Sequence, residues 1–255
     1  MVRTTVFHHP VPGSGFVPAP TSESDVVLSL DRPGYGLAPR LDPGTVPTVA
    51  GIAELVLGQL RTSGVDHIDH VVGWSGGGHY ALAMAALAPE HIDYVTLVAS
   101  PAHDDDVAWI PDHLRPLTAE LRRAPATAVD RLIHQLDGLR GDLSMLCAGD
   151  DNELLEQDHA LRHRLECMLG TAFDLGVAGM ATDIVAQHVT DWSFDPGQVR
   201  QPVNLVYADA DPLVPLAHGR HWEATLPDAT LSTIRCAGHL APLQHFWAET
   251  FASGH

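Results

Sequence analysis

Residues 71–78 read VVGWSGGG, and the alanine-rich run ALAMAALA follows at residues 81–88. A short β-branched run, a turn of small residues and a run of good helix formers predict a strand, a tight turn and a helix. Ser75 lies at the apex of the turn. A serine in such a strained turn needs small neighbours two positions away on either side, and Gly73 and Gly77 meet that need. The pattern therefore predicts an exposed hydroxyl above the carboxyl end of a sheet.

The Gly-x-Ser-x-Gly pattern at residues 73–77 is typical of a nucleophile elbow. In that turn the N–H of Gly76 lies at a helix N-terminus, where negative charge is favoured, and it would be the first donor of an oxyanion hole. A phosphate-binding loop needs a Gly-Lys-Ser or Gly-Lys-Thr sequence, and the chain contains no lysine. A glycine-rich connection in some other α/β fold is the alternative. On this motif and its context the chain resembles the α/β-hydrolases.

The composition narrows the classes of protein to which this chain can belong. Its 255 residues can form one α/β domain with an insertion, and its formal charge of -18 argues against binding nucleic acid or an anionic membrane surface. The ten N-terminal residues contain no apolar run typical of a signal peptide. The three cysteines, at positions 147, 167 and 236, show no metal-ligand spacing. We therefore expect a cytoplasmic protein with free thiols.

Residues 4–7 predict a short buried strand, and a loop reading HPVPGS follows at residues 9–14. The loop resembles the His-Gly-x-Pro-Gly-Ser loop after the third strand of the α/β-hydrolases, in which the residue after the first glycine supplies the second oxyanion N–H. The resemblance gives that role to Val11. Pro10 replaces the family's glycine and has no N–H, but the required donor belongs to Val11. The Val11–Pro12 bond is a candidate cis peptide, and a plain proline- and glycine-rich loop is the alternative.

Short β-branched or apolar runs predict the remaining strands at residues 26–30, 94–99, 203–208 and 229–235. With the elbow strand they predict an α/β fold built on a mostly parallel, doubly wound sheet, which the resemblance also implies. Residues 31–36 read DRPGYG, a turn similar to one in the family, and we interpret it as structural.

The resemblance covers nearly all 255 residues, but the first predicted strand corresponds to the third strand of the family. The fold is therefore expected to lack the family's first two strands. Their absence would leave the strand at residues 26–30 at the edge of the sheet, with unpaired backbone groups. Two explanations stay open: a homodimer covers this edge, or the natural protein begins further upstream.

Residues 104–200 change character, because helical patterns replace strands. Helices are predicted at residues 114–123, 128–139, 152–169 and 178–189. The resemblance implies an inserted all-helical cap here, with residues 1–103 and 201–255 forming the α/β-hydrolase core. Apolar cap residues would either line a cavity or simply pack the helices together. The candidates for substrate contact are Trp74, His9, Leu146, Met168 and Phe173.

Two short motifs after later strands supply partners for Ser75. Residues 208–215 read ADADPLVP and resemble the family's G-x-x-D-x-x-V-P, which makes Asp211 the catalytic acid and ranks Asp209 second. A Gly-His pair that ends at His239 resembles the family's pair after the last strand. The chain order Ser75, Asp211, His239 is the order of the α/β-hydrolase triad.

No cofactor and no metal is expected. Residues 66–70 read DHIDH and are rich in metal-ligand types, but a polar loop before a buried strand explains them better. The expected partner is a small-molecule substrate.

The motifs together predict a carboxylesterase-like serine hydrolase that cleaves an ester or related acyl bond of a small, apolar substrate through an acyl-enzyme. Thioesters, lactones and carbon–carbon bonds are cleaved by the same residue types, so spacing does not separate these activities. Two other classes stay open. One is a non-hydrolytic enzyme of secondary metabolism, such as a lyase, a cyclase or a cofactor-free oxygenase. The other is a non-catalytic ligand-binding protein.

Overall fold

A computed structural model describes residues 3–16 and 25–252. Its strands are β1 (Arg3–His8), β2 (Asp25–Leu28), β3 (Ile68–Trp74), β4 (Ile92–Val98), β5 (Val203–Ala208) and β6 (Ala229–Ile234). They form one sheet in the order β2-β1-β3-β4-β5-β6, and every neighbouring pair is parallel. The predicted α/β class with a parallel sheet is confirmed.

The helices are α1 (Val49–Thr62), α2 (Gly77–Leu87), α3 (Arg115–Arg122), α4 (Ala128–Gln135), α5 (Asp151–Gln157), α6 (His159–Phe173), α7 (Ala178–Ile184), α8 (Ala217–Thr225) and α9 (Ala241–Ala252). They cover both faces of the sheet. Successive strand residues point to opposite faces, and Val71 and Val72 of β3 belong to different apolar clusters. The Val71 cluster includes side chains of α1, α2 and α8, and the Val72 cluster includes side chains of α5, α6 and α9. Burial on both faces explains the nearly continuous apolar runs of the central strands.

The helices α3 to α7 lie between β4 and β5, within residues 104–200, which we call the helical segment. The helix predicted at residues 152–169 is in fact two helices. Asp158 separates them, because its side chain accepts a hydrogen bond from the Leu161 N–H at 2.8 Å and caps α6. A π-helical turn, Val185–Val189, continues α7. The division into core and cap domains at residues 104 and 200 stays a prediction.

Within residues 3–16 and 25–252, no single helix is long and apolar enough to cross a bilayer. By length and composition alone, His159–Phe173 and Ala178–Val189 pass that test as a pair, and the two are bent by 91°.

The strand β2 is at one edge of the sheet, as predicted for the strand that follows the loop after β1. In the part of the chain that the structure describes, this strand of four residues pairs with β1 alone. Val26 on this edge is 43% exposed. Coverage of the edge by a second copy of the chain stays a prediction.

Candidate active site

Ser75 adopts the strained conformation that the sequence predicts. Its φ is 52°, in the left-handed region that residues with a side chain avoid. The Ser75 N–H donates to the Val98 carbonyl at 2.8 Å, and the Ser75 carbonyl accepts from the Gly78 N–H at 3.0 Å. A Cβ at Gly73 would lie 2.6 Å from the Gly77 carbonyl oxygen, and one at Gly77 would overlap the carbonyls at the end of β1. Neither glycine can therefore carry a side chain in this turn.

Asp211 and His239 meet at the carboxyl end of the sheet, after β5 and β6. His239 Nδ1 and Asp211 Oδ2 are 2.7 Å apart, and both side chains are at most 1% exposed. Asp211 Oδ1 accepts hydrogen bonds from the N–H groups of Leu213 and Val214 at 2.8 and 3.0 Å. These two bonds fix the orientation of the carboxylate. Because Asp211 contacts Nδ1, Nε2 is the imidazole nitrogen that Asp211 does not occupy.

Two other carboxylates near the strand ends, those of Asp209 and Asp104, bind groups other than the His239 imidazole. Asp209 is exposed, and its Oδ1 accepts a hydrogen bond from the Cys236 N–H at 2.7 Å. Asp104 Oδ1 accepts from the Trp109 N–H at 2.6 Å, and its Oδ2 is 3.1 Å from Arg115 Nη1. Asp211, rather than either of these acids, therefore orients the imidazole.

The imidazole of His239 lies beside the elbow, since its ring centroid is 5.8 Å from that of Trp74, the residue before Ser75. With the backbone included, Ser75 is 9% exposed, Asp211 4% and His239 1%. Ser75 as a whole residue is therefore largely buried, whereas the exposure of its hydroxyl stays a prediction. The helical segment covers the turn, with Gln187 contacting the backbone next to the serine.

Val11 and Gly76, the predicted oxyanion donors, are neighbours in space. A Cβ at Gly76 would lie 2.8 Å from Val11 Cγ2. Within the described ranges, neither N–H has an acceptor on the protein. The Val11–Pro12 peptide is cis, as predicted. Two unpaired N–H donors, one of them at the N-terminus of α2, favour negative charge between them.

The residues predicted to contact substrate fall into two groups. Trp74, Leu146 and Met168 are buried in one apolar cluster, and Phe173 packs against it. His9 is also buried, and its Nδ1 bonds to the carbonyl of the next residue at 2.9 Å. The four apolar side chains thus pack the helical segment onto the face of the sheet around Trp74. Their contact with substrate stays a prediction.

Arg32, in the DRPGYG turn, forms a buried ion pair with Asp183 of α7. Arg32 Nη2 is 2.7 Å from Asp183 Oδ2, and the side chains are 0% and 1% exposed. The guanidinium also donates to the carbonyls of His9 and Pro10 at 2.8 and 3.0 Å. Tyr80 Oη donates to Asp183 Oδ1 at 2.6 Å. The turn is therefore structural, as predicted, because it ties the loop after β1 to the helical segment.

Replacing Asp183 by alanine is expected to lower the free energy of unfolding by about 3–5 kcal/mol, because the buried guanidinium of Arg32 loses its counter-charge. Urea unfolding followed by tryptophan fluorescence measures the change. Asp174→Ala removes an exposed carboxylate at the end of α6 and is the matched control, with an expected change below about 0.5 kcal/mol. Equal stability of the two variants would show that the buried pair contributes nothing.

Two more side chains of the helical segment hold loops of the site. Gln187 Nε2 donates to the Gly76 carbonyl at 3.0 Å. Trp109 Nε1 donates to the Leu213 carbonyl at 2.9 Å, two residues after Asp211. Sequence reasoning missed both residues.

A local signal marks some of these polar side chains in the sequence. Asp183 and Gln187 interrupt the largely apolar run at residues 177–189, and a spacing of four places them on one face of a helix. A polar pair on the apolar face of a helix indicates a specific buried partner. No comparable signal marks Trp109, which lies in an irregular stretch.

A group of metal-ligand side chains lies at the opposite end of β3 from Ser75. His67, Asp69 and Asp93 each place one ligand atom within 4.8 Å of the others. His67 Nε2 is 2.9 Å from Asp93 Oδ2, and Asp69 Oδ2 accepts from the Thr4 N–H at 2.7 Å. His67 and Asp93 are exposed, and both acids already have partners, so we assign no metal to this group.

A model of the Alpha/beta hydrolase family matches residues 6–253, which is nearly the whole chain. The chain belongs to the alpha/beta hydrolase family. This alpha/beta hydrolase is 28% identical over 217 residues to the pimeloyl-[acyl-carrier protein] methyl ester esterase of Aromatoleum aromaticum, covering 84% of the chain and 80% of that relative. It is 25% identical to a 2-hydroxy-6-oxononadienedioate/2-hydroxy-6-oxononatrienedioate hydrolase of Cupriavidus pinatubonensis, covering 86% of the chain and 71% of that relative.

Solved structures share the fold of this alpha/beta hydrolase. The enol-lactonase from Burkholderia xenovorans LB400 superimposes with a TM-score of 0.68 at 18% sequence identity, covering 98% of this chain and 89% of that one. Identity this low shows a common fold alone. The sequence-based resemblance to the α/β-hydrolases is confirmed, and the distant relatives are esterases and hydrolases of other bonds.

Proposed function

We propose that this alpha/beta hydrolase is a serine hydrolase that cleaves an ester or related acyl bond of a small, apolar substrate. The observation that carries the proposal is the buried 2.7 Å contact between Asp211 Oδ2 and His239 Nδ1, beside the strained turn of Ser75. A nucleophile, a base and an orienting acid on separate loops are the groups that activate a serine. The relative from Aromatoleum aromaticum, a methyl ester esterase, supports the choice of bond.

The first half of the reaction forms an acyl-enzyme. Ser75 Oγ attacks the substrate carbonyl, and His239 Nε2 takes the serine proton. Asp211 stabilises the imidazolium that forms, through the hydrogen bond at Nδ1. The carbon–oxygen bond of the ester then breaks, the leaving alcohol takes the proton from Nε2, and the acyl group stays on Ser75.

The second half returns the free enzyme. Water gives a proton to His239 Nε2 as its oxygen attacks the acyl carbon, and Ser75 Oγ leaves and takes that proton back. In both halves the N–H groups of Val11 and Gly76 would hold the oxyanion. Loss of one such donor typically raises the barrier by about 3 kcal/mol. Burial of the site keeps competing water away from these hydrogen bonds.

Hydrolysis of a carbon–carbon bond is the second candidate activity. The similarity to the relative from Cupriavidus pinatubonensis, a hydrolase of 2-hydroxy-6-oxo dienedioates, favours it. A panel of p-nitrophenyl esters of increasing acyl length and a 2-hydroxy-6-oxo-dienoate compound would separate the two activities. If the enzyme turned over the dienoate and none of the esters, the proposed scissile bond would be a carbon–carbon bond in place of the ester.

Labelling with a fluorophosphonate tests the proposal directly, because this reagent attaches to activated serines. We expect label on the wild type and no label on Ser75→Ala. Ser63→Ala, which changes an exposed serine at the end of α1, is the matched control and is expected to label like the wild type. A folded wild type without label, or a Ser75→Ala variant labelled as fast as the wild type, would overturn the proposal.

A further inference from the structure

Asp151 is a buried carboxylate at the start of α5, far along the chain from the triad residues. It is 1% exposed. Its Oδ2 accepts a hydrogen bond from the His239 N–H at 3.0 Å, and its Oδ1 accepts one from the Leu240 N–H at 2.9 Å. Oδ2 also accepts from the Ala148 N–H at 3.0 Å. One carboxylate of the helical segment therefore binds the backbone of the catalytic histidine and of the residue after it.

The carboxylate of Asp151 is stabilised by backbone donors rather than by a cation. In the described ranges no arginine or histidine forms an ion pair with it. Burial of a charge is costly unless hydrogen bonds satisfy it, and three N–H groups do so here. Removal of the carboxylate would leave these three buried donors without an acceptor. The contact is thus a strong and specific one.

The neighbouring glycine fits the same contact. A Cβ at Gly238 would overlap Asp151 Oδ1 and would lie within 2.9 Å of Oδ2. The φ of Gly238 is not positive, so the backbone conformation does not require glycine there. Close approach of the Asp151 carboxylate therefore explains the glycine of the Gly-His pair.

The triad acid does a different task from Asp151. Asp211 fixes the rotation of the His239 ring through Nδ1. Asp151 fixes the backbone from which the ring projects. If Asp211 alone held the ring, the ring could still move together with the loop before His239. That loop is partly exposed, and it contains Cys236, whose φ is 51°. Displacement of a reacting group by about 1 Å lowers a rate about a hundredfold.

We propose that Asp151 is a positioning residue for His239, through which the helical segment sets the place of the imidazole relative to Ser75. The inference rests on the proposed serine hydrolase function and deepens it. Two other contacts of the segment act in the same sense. Gln187 holds the elbow at Gly76, and the ring of Trp109 holds the loop after the triad acid. These contacts of the segment then position the catalytic groups, and the rest of the segment covers them.

The test compares the kinetics of fluorophosphonate labelling in the wild type, Asp151→Asn and Glu156→Gln. Glu156 is exposed on the same helix, so Glu156→Gln is a control for the loss of one negative charge. In the wild type three N–H groups donate to the two carboxylate oxygens of Asp151. In Asp151→Asn the side-chain amide offers them a single acceptor oxygen. We expect the first-order labelling constant kinact to fall about tenfold to a hundredfold in Asp151→Asn, with KI unchanged. Glu156→Gln is expected to match the wild type in both constants.

Measurements far below the unfolding temperature of each variant separate positioning from stability. A residue that only stabilises the fold would lower that temperature and leave kinact unchanged, and this result would overturn the inference. If Asp151→Asn yields no folded protein, Gly238→Ala takes its place, since its methyl group would displace the carboxylate while keeping the charge. An unchanged kinact in folded Gly238→Ala would likewise overturn the inference. A wild type without label would instead overturn the serine hydrolase function.

Discussion

Replacing Asp211 by asparagine is expected to lower the turnover of an ester substrate by about four orders of magnitude. The Asp211 carboxylate accepts a hydrogen bond from the Nδ1–H of His239, with the two heavy atoms 2.7 Å apart, and this bond keeps Nε2 free of a proton. An asparagine amide at this place favours the opposite tautomer, in which Nε2 carries the proton and cannot accept one from Ser75. Measurement of kcat with a p-nitrophenyl ester at pH 8 gives the size of the loss.

A matched control for this variant is two residues away in the chain. Asp209→Asn removes the same charge from an exposed side chain that binds the Cys236 N–H. It is expected to keep turnover close to that of the wild type. Near-normal turnover of Asp211→Asn, with loss in Asp209→Asn, would transfer the role of the acid to Asp209.

The free energy of unfolding is expected to fall steeply as the pH drops below about 6. His8, His70 and His79 are at most 7% exposed. Burial lowers the pKa of His8 and of His79 to about 3 and the pKa of His70 to about 4, and the charge of Arg32 adds to the effect at His8. The same side chains take up protons near pH 6.5 in the unfolded chain.

The direction of the effect follows from this difference in proton binding. Between about pH 6.5 and pH 4 the unfolded chain binds up to three more protons than the folded chain at these positions. Their contribution to stability is therefore complete above pH 6.5 and is lost as the pH falls, by about 4 kcal/mol per pH unit once all three titrate. The free energy of unfolding of a typical domain is about 5–15 kcal/mol, so a fall of two or three pH units is enough to unfold it.

Urea unfolding at a series of pH values measures this slope. His70→Gln removes one of the three buried groups and keeps a hydrogen-bonding partner for Thr96, whose Oγ1 is 2.8 Å from His70 Nε2. It is expected to reduce the slope by about 1.4 kcal/mol per pH unit. The control His134→Gln changes an exposed histidine of α4 and is expected to keep the wild-type slope. A stability that is level from pH 7 to pH 5 would contradict the prediction.

The parts of the fold that follow from short-range pattern were predictable. The strand at residues 203–208 has the predicted bounds, and α4 begins at residue 128, as predicted. Each depends on a run of residues whose periodicity or β-branching is decisive within ten or so positions. The break at Asp158 was not predicted, because a capping aspartate inside a helical pattern differs little in composition from a solvent-facing one.

The candidate site also combines features that the sequence predicts with features that it does not. Motifs near strand ends predicted Ser75, Asp211 and His239, and the structure brings the last two into contact. The burial of Ser75 was not predictable, since it depends on how a separate helical segment folds back over the turn. Nor was Asp151, whose partners lie 88 and 89 residues further along the chain. Contacts of that range leave no local pattern.

The buried bonds between the helical segment and the core also bear on how such enzymes diversify. A new substrate range is often sought by grafting the insertion of one relative onto the scaffold of another. Moving this helical segment onto another core would bring Asp151, Asp183 and Gln187 opposite unfamiliar partners. Replacing the segment in this chain would leave the buried guanidinium of Arg32 without its counter-charge. Recombination would preserve these buried bonds only if the helical segment and the loops that it contacts are exchanged together.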